Sequence, residues 1–338
     1  MNESISNIPE GTSDIDFVVI WVDGADPEWR TLRAKYANNE SDSDEARYRD
    51  WGILKYWFRA IEKYAPWVRK VHFVTNGQKP EWLNINSPKV NFVKHSDFIP
   101  EEYLPTFSSR TIELNLHRIK GLSDKFVYFN DDTFLNAPVK PEDFFVNGMP
   151  CDCAILSTIK IERNGISSIV LNDLKIINDH FSFKESYKKF HSKWFNVKYG
   201  KQLLRTILLK PWGYFVGFYE MHIPYSYTKA VFEELWNREY EVLNHTCLHR
   251  FRDDSDVNQY LLRYWQIAKG DFVPRSVNIG KLYFSTDSII EICAEIKEKR
   301  HKMFCISDSN LIEDFESVKN QIHVAFEDQL PEKSLFEM

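Results

Sequence analysis

Asn130-Asp131-Asp132 follows an apolar run at residues 126–129 without a break. Two adjacent carboxylates at a strand end are hard oxygen ligands, suited to Mg²⁺ or Mn²⁺ bridging a diphosphate. An acidic turn in solvent is the plain alternative. A second cluster, Trp21-Val22-Asp23-Gly24-Ala25-Asp26-Pro27, closes an earlier apolar run. Its glycine permits close backbone approach, and either Asp is able to hold a ribose, a base or a metal. A tight strand-to-helix turn would use the same residues. His222, in Met221-His222-Ile223-Pro224, has the acidity to take a proton from an attacking hydroxyl near neutral pH, although a lone histidine is equally a structural residue. Arg252, in His249-Arg250-Phe251-Arg252-Asp253-Asp254, offers a two-pronged donor to phosphate, or an ordinary ion pair with Asp253 or Asp256.

These residues need elements to hold them. Residues 15–22 are almost continuously apolar and β-branched, the pattern of a strand buried on both faces. Further strands are expected at 71–75, closed by Asn76-Gly77, at 90–93 and at 126–129. Between the first two, Leu54, Trp57, Phe58, Ile61 and Tyr64 recur at helical spacing until Pro66. Ser108 or Ser109 is placed to cap a helix running to Gly121, and residues 313–336 read as a closing helix. The alternation predicts an α/β fold, a mostly parallel sheet flanked by helices in the Rossmann manner. Ligands of such sheets bind beyond the carboxyl ends of the strands, so Asp23, Asn76 and Asp131–Asp132 should converge. We expect a core at 12–150 and a second part at 151–338, which carries an insert at about 180–215 and helical additions; a single domain is the alternative.

The whole chain narrows the function classes. Its 338 residues carry a formal net charge of −6, where a nucleic-acid binder would carry a basic excess. No apolar run reaches the roughly 18 residues a membrane span needs. Residues 1–11 are polar, without a signal-peptide core, so a cytoplasmic location is expected. The five cysteines, Cys151, Cys153, Cys247, Cys293 and Cys305, lack zinc-type spacing and read as reduced thiols. Residues 187–210 hold seven Lys or Arg and no acid, interleaved with Tyr187, Phe190, Trp194, Phe195 and Tyr199. That stretch suits peripheral contact with the inner face of the plasma membrane or with a lipid-diphosphate-linked acceptor; a solvated helix face is the alternative.

Together the motifs resemble the Stealth family, which comprises bacterial capsular polysaccharide phosphotransferases and the catalytic subunit of the lysosomal-enzyme N-acetylglucosamine-1-phosphate transferase. The first family block resembles the run from Ile15 through Trp21-Val22-Asp23-Gly24 to Pro27. The second opens at Arg49-Asp50-Trp51-Gly52 and continues through Val74-Thr75-Asn76-Gly77-Gln78 to Tyr128-Phe129-Asn130-Asp131-Asp132. The third resembles His222-Ile223-Pro224-Tyr225 with Arg252, and the fourth Phe304-Cys305-Ile306-Ser307-Asp308. The chain departs from the pattern at Ser307, where the family has Asn, and at Trp51, where a small polar residue is usual.

The resemblance implies a glycosyltransferase-A-like nucleotide-sugar core. It implies transfer of a hexose-1-phosphate or N-acetylhexosamine-1-phosphate from a UDP-sugar to a hydroxyl of a bacterial cell-surface polysaccharide or lipid-linked oligosaccharide, with release of UMP. In that reading Asp131 and Asp132 hold Mg²⁺ or Mn²⁺, His222 is the base and Arg252 grips the donor phosphate. Trp21, Asp23, Gly24, Arg49, Thr75 and Asn76 line the nucleotide pocket. The alternatives are a metal-dependent glycosyltransferase releasing UDP and an inactive glycan-binding subunit.

Overall fold

The computed structural model describes residues 13–37, 48–163, 165–309 and 311–338. The polar residues 1–11, and residue 12 at the start of the expected core, lie outside the described residues. The strands are β1 (Ile15–Ile20), β2 (Val71–Thr75), β3 (Val90–Lys94), β4 (Lys125–Phe129), β5 (Thr133–Leu135), β6 (Phe145–Val146), β7 (Met149–Asp152), β8 (Tyr225–Thr228), β9 (Val273–Pro274), β10 (Gly280–Phe284) and β11 (Met303–Ser307).

Five of them form the central sheet in the order β3-β2-β1-β4-β8. The first four run parallel, and β8 joins β4 antiparallel. This is the mostly parallel, helix-flanked sheet expected. All of β2 and nearly all of β1 are buried, as their largely apolar, β-branched sequences suit a sheet covered on both faces. The helix Leu54–Tyr64 buries Leu54, Trp57, Phe58, Ile61 and Tyr64, as their spacing predicts. Trp57 meets the Phe129 ring edge-on at 5.2 Å. Full burial of a side chain such as Phe58 contributes about 1.5–3 kcal/mol.

Two consequences of this topology position the site. The chain leaves β1 for β2 on one side and returns on the other as β4, which opens a crevice at the carboxyl ends of β1 and β4. Because β8 is antiparallel, with Tyr225 opposite Tyr128, the start of β8 lies at that same edge. A smaller sheet, β10-β11-β5, abuts it. Its β5 begins directly after Asp132, Cys305 pairs with Thr133, and the Ile306 N–H donates to the Asp132 carbonyl at 3.0 Å. The third sheet is β6-β7-β9.

Two helices differ from expectation. Ser108 makes no side-chain cap, and the helix it precedes spans Ser109–Asn115 only, passing into a 3₁₀ turn at Leu116–Arg118. The Asn115 amide donates back to the Thr111 carbonyl at 2.8 Å, a local bond that competes with helix propagation. The closing helix spans Phe315–Gln329 rather than reaching residue 336. Leu330, crowded by Pro331, leaves the helical region at φ −134°, ψ 57°. This helix stacks Phe326 on Tyr56 at 5.2 Å, and Glu337 beyond it takes two bonds from Arg59 at 2.8 and 2.9 Å. Buried apolar side chains from Ile15 to Phe336 form one cluster. All five cysteines are free thiols.

Candidate active site

The edge where β1, β2 and β4 end and β8 begins gathers most of the residues singled out from the sequence. Asp132 follows β4, and its Oδ1 is buried without a hydrogen-bond partner. Its Oδ2 lies 3.6 Å from His222 Nε2. Asp132, His222 and Cys305 each bring one ligand atom within 4.8 Å of the others, a donor set of carboxylate, imidazole and thiol able to hold a metal ion. The Cys305 thiol is pushed well above its usual range by burial, by the Asp132 charge and by a hydrogen bond to Asp132. Asp131 stands outside this trio and keeps access to solvent. Desolvation by the surrounding protein, then repulsion from Asp132 and Asp50, pushes its carboxyl up to about 7.

His222 is held rather than loose. Its backbone takes a left-handed φ of 45°, a conformation that costs a non-glycine residue about 1–2 kcal/mol and needs compensating contacts. The Tyr225 hydroxyl accepts from its N–H at 3.2 Å and donates to Glu220 at 2.7 Å. Glu220 in turn meets Arg263, a fully buried guanidinium on the helix Gln259–Lys269 that also grips Asp152 of β7 through two bonds of 2.8 Å. The imidazole itself lies between Tyr260 Oη, 2.7 Å from Nδ1, and Asn130 Nδ2, 3.4 Å from Nε2. Burial would depress the His222 pKa, but the hydrogen bond and charge of Asp132, with Glu220 and Glu113, raise it above the ordinary value.

A second row stands behind Asn130. The Tyr128 hydroxyl lies 2.5 Å from Asn130 Oδ1 and 3.0 Å from the buried Glu113. Burial raises the Glu113 pKa, an effect the Arg252 charge partly offsets. Arg252 donates to Ser109 Oγ at 3.1 Å. Of the two acids named as its alternative partners, Asp256 is engaged by Arg110 at 2.6 Å and His249 at 2.7 Å, and Asp253 accepts from the Ser255 N–H at 2.9 Å. Of the grouping of His249, Asp253 and Asp256, which has metal-like spacing, Asp256 and His249 are thus joined in an ion-pair network with Arg110, while the exposed Asp253 is held by Ser255.

On the β1–β2 side, Trp21 donates its N–H to Val74 at 3.0 Å. Asp23 bonds Gln78 through its backbone at 3.0 Å in both directions, and its Oδ1 accepts the Ala25 N–H at 2.8 Å. Gly24 packs against Tyr48 so tightly that a Cβ would lie 2.1 Å from the Tyr48 carbonyl oxygen. Asp26 caps the helix Pro27–Tyr36. Thr75 is buried, and its hydroxyl serves the turn by donating to Gln78 O at 2.8 Å and accepting from Gly77 at 2.9 Å. Asn76 accepts from the Gln78 N–H at 3.3 Å. Arg49 is not in this group; it clamps Asp308 with bonds of 3.0 and 2.8 Å, and Trp51 Nε1 donates to the same carboxylate at 3.1 Å. Tyr260, Asn130, Cys305 and Gln78 are the site residues to which the sequence had assigned no role. Only Asn258, which caps the helix that carries Tyr260, left a local sign.

In mostly parallel α/β sheets ligands bind at such a switch point, and here it brings together the Asp132 carboxylate and the His222 imidazole. Residues 13–41 match Stealth protein CR1, conserved region 1, and residues 47–151 match Stealth protein CR2, conserved region 2. The capsular polysaccharide phosphotransferase WcwK of Streptococcus pneumoniae is 46% identical over 327 residues, spanning 96% of this chain and 98% of its own. The receptor polysaccharide phosphotransferase WefC of Streptococcus gordonii is 42% identical over 96% of this chain and 99% of its own. The exopolysaccharide phosphotransferase cps2G of Lactiplantibacillus plantarum is 41% identical over 97% of each chain. Among solved structures, a galactosyltransferase LgtC complex is similar over 94% of this chain and 96% of its own, at 11% identity and a TM-score of 0.40. The chain belongs to the Stealth family and is a transferase.

Proposed function

We propose that the protein transfers a sugar-1-phosphate from a UDP-sugar to a hydroxyl of a bacterial capsular or exopolysaccharide chain. The acceptor oxygen bonds to the β-phosphorus, the bond from that phosphorus to the bridging oxygen breaks, and UMP departs. The observation that carries this reading is the orphaned, buried Asp132 Oδ1 beside His222 Nε2 at the switch-point crevice.

His222 Nε2 takes the proton of the attacking hydroxyl, held in place by Asn130 and Tyr260. Arg252 steadies the charge on the donor phosphates. The turns of Asp23-Gly24 and Thr75-Asn76 form the wall that receives the nucleotide. The unpartnered Asp132 oxygen and the open Asp131 carboxylate next to it are the hard donors that Mg²⁺ or Mn²⁺ takes, while burial and the Asp132 charge keep the Cys305 thiol protonated and so a poor ligand for a soft ion. Asp132, with Asp131 beside it, would hold that cation, which supplies charge neutralisation at the diphosphate.

The test is a screen of UDP-sugars with lipid-linked glycans, Mg²⁺ and purified protein, scoring the nucleotide released. UMP is expected from the wild type, with Asp132→Asn and His222→Ala each slower by about a hundredfold or more. UDP as the product would mean attack at the anomeric carbon instead. Near-normal turnover by either variant would remove that residue from the mechanism.

A further inference from the structure

The helix Leu203–Leu209 turns its apolar side outward. Of its seven residues only Thr206 is buried, while Leu204, Ile207 and Leu208 are 60, 48 and 70% exposed. Spacings of three and four residues put these on one face. Trp212 and Tyr214 just past the helix end, and Val197 in the preceding turn, are also more than half exposed. Scattered apolar residues on a surface need no explanation, but a contiguous patch marks something that covers it.

Charge identifies the cover. Lys198, Lys201 and Arg205 are exposed around the patch, and Lys210 sits over the Tyr187 ring at 4.6 Å. No Asp or Glu occurs from Ser186 to Tyr219, in a chain whose formal net charge is −6. A second copy docking the same face would set these cations against each other. An anionic lipid surface would attract them, while Leu, Ile, Trp and Tyr enter the interfacial layer.

We propose that this face docks the protein on an anionic lipid bilayer. The docking stands apart from the reaction proposed above. Trp212 and Tyr214 also line an open groove of about 1100 Å³, whose far wall is the helix Ser167–His180. Asn172 on that helix bonds the carbonyls of Asp254 and Asp256 at 2.9 Å, two and four residues after Arg252. Docked by the patch, the molecule would hold the groove mouth at the bilayer.

The test is flotation of the whole protein with vesicles, read without any nucleotide-sugar. The wild type should float with phosphatidylcholine–phosphatidylglycerol vesicles, weakly with phosphatidylcholine alone, and less as salt rises. A Leu204→Ser, Ile207→Ser, Leu208→Ser variant should lose about tenfold or more in partitioning and a Lys201→Glu variant several-fold, with unchanged thermal unfolding because these side chains are exposed. Failure of the wild type to bind anionic vesicles, or equal binding by the variants, would overturn the proposal. So would a lipid-free dimer, seen by sedimentation, that the apolar variant dissociates.

Discussion

In the proposed reaction His222 would serve as the base in only one tautomer. Its Nε2 is available to a substrate proton when Nδ1 carries the hydrogen and donates it to Tyr260 Oη, 2.7 Å away. Asn130 Nδ2 at 3.4 Å and Asp132 Oδ2 at 3.6 Å both face Nε2 and pull its proton in opposite senses, which leaves the Tyr260 contact as the one that selects the tautomer. Tyr260→Phe removes the acceptor while keeping the ring that fills the space. It should lower kcat about tenfold and leave KM for the donor and the melting temperature near wild type, read by steady-state UMP release. A variant with unchanged kcat would show that Tyr260 does not set the tautomer. The side-chain types of Asp131, Asp132, His222 and Arg252 point to chemistry in the sequence itself, and Asp132 and His222 do lie side by side. Tyr260 was not legible there, since a tyrosine in an apolar helix reads as core until the partner of its hydroxyl is known.

At the scale of elements, the central sheet divides its work between its two edges. The carboxyl edge carries the candidate site. Near the amino edge, Asp16 lies fully buried within β1, where it accepts from Arg69, from His72 at 2.9 Å and from the Ser123 N–H at 2.7 Å, so that it ties together β1, β2 and the approach to β4. Burial alone would raise the Asp16 pKa, but the bond and charge of His72, with Arg69 and Ser123, bring it below 3.8. A depressed folded-state value means that the stabilisation is complete above the unfolded pKa and fades as pH falls through the folded one. Asp16→Asn should therefore cost about 2–3 kcal/mol at neutral pH, since Arg69 is partly solvated, and much less in acid. The check is denaturant unfolding of both proteins on either side of pH 3.8. A difference that stays constant with pH would contradict the assignment. The strands were legible because sheets buried on both faces demand apolar runs. Asp16 hid inside one of those runs, for its partners come from elsewhere in the chain. The early stop of the helix Ser109–Asn115 was hidden for a similar reason, as it depends on an asparagine bonding its own backbone.

Across the whole molecule, distant parts of the chain complete one another. Arg49 and Asp308, 259 residues apart, share two hydrogen bonds beside the site, and the Arg59–Glu337 pair ties the chain's last residues to its first half. Such pairings are invisible to local pattern, and only the family's ordered motif blocks hinted at them. Among the described residues no helix is long and apolar enough to cross a membrane. The basic, apolar face around Leu204 was half legible: the run of cations stood out, but which of its aromatic residues lie inside did not. Trp194 and Tyr199 are buried, and the exposed surface is supplied instead by Leu204, Ile207, Leu208 and Trp212. The account as a whole rests on which atom the acceptor attacks. A UDP-sugar labelled at its β-phosphorus, incubated with the enzyme and acceptor glycan, tests this directly. The account predicts label in the polysaccharide and unlabelled UMP in solution; label retained on released UDP, with unlabelled sugar on the glycan, would contradict it.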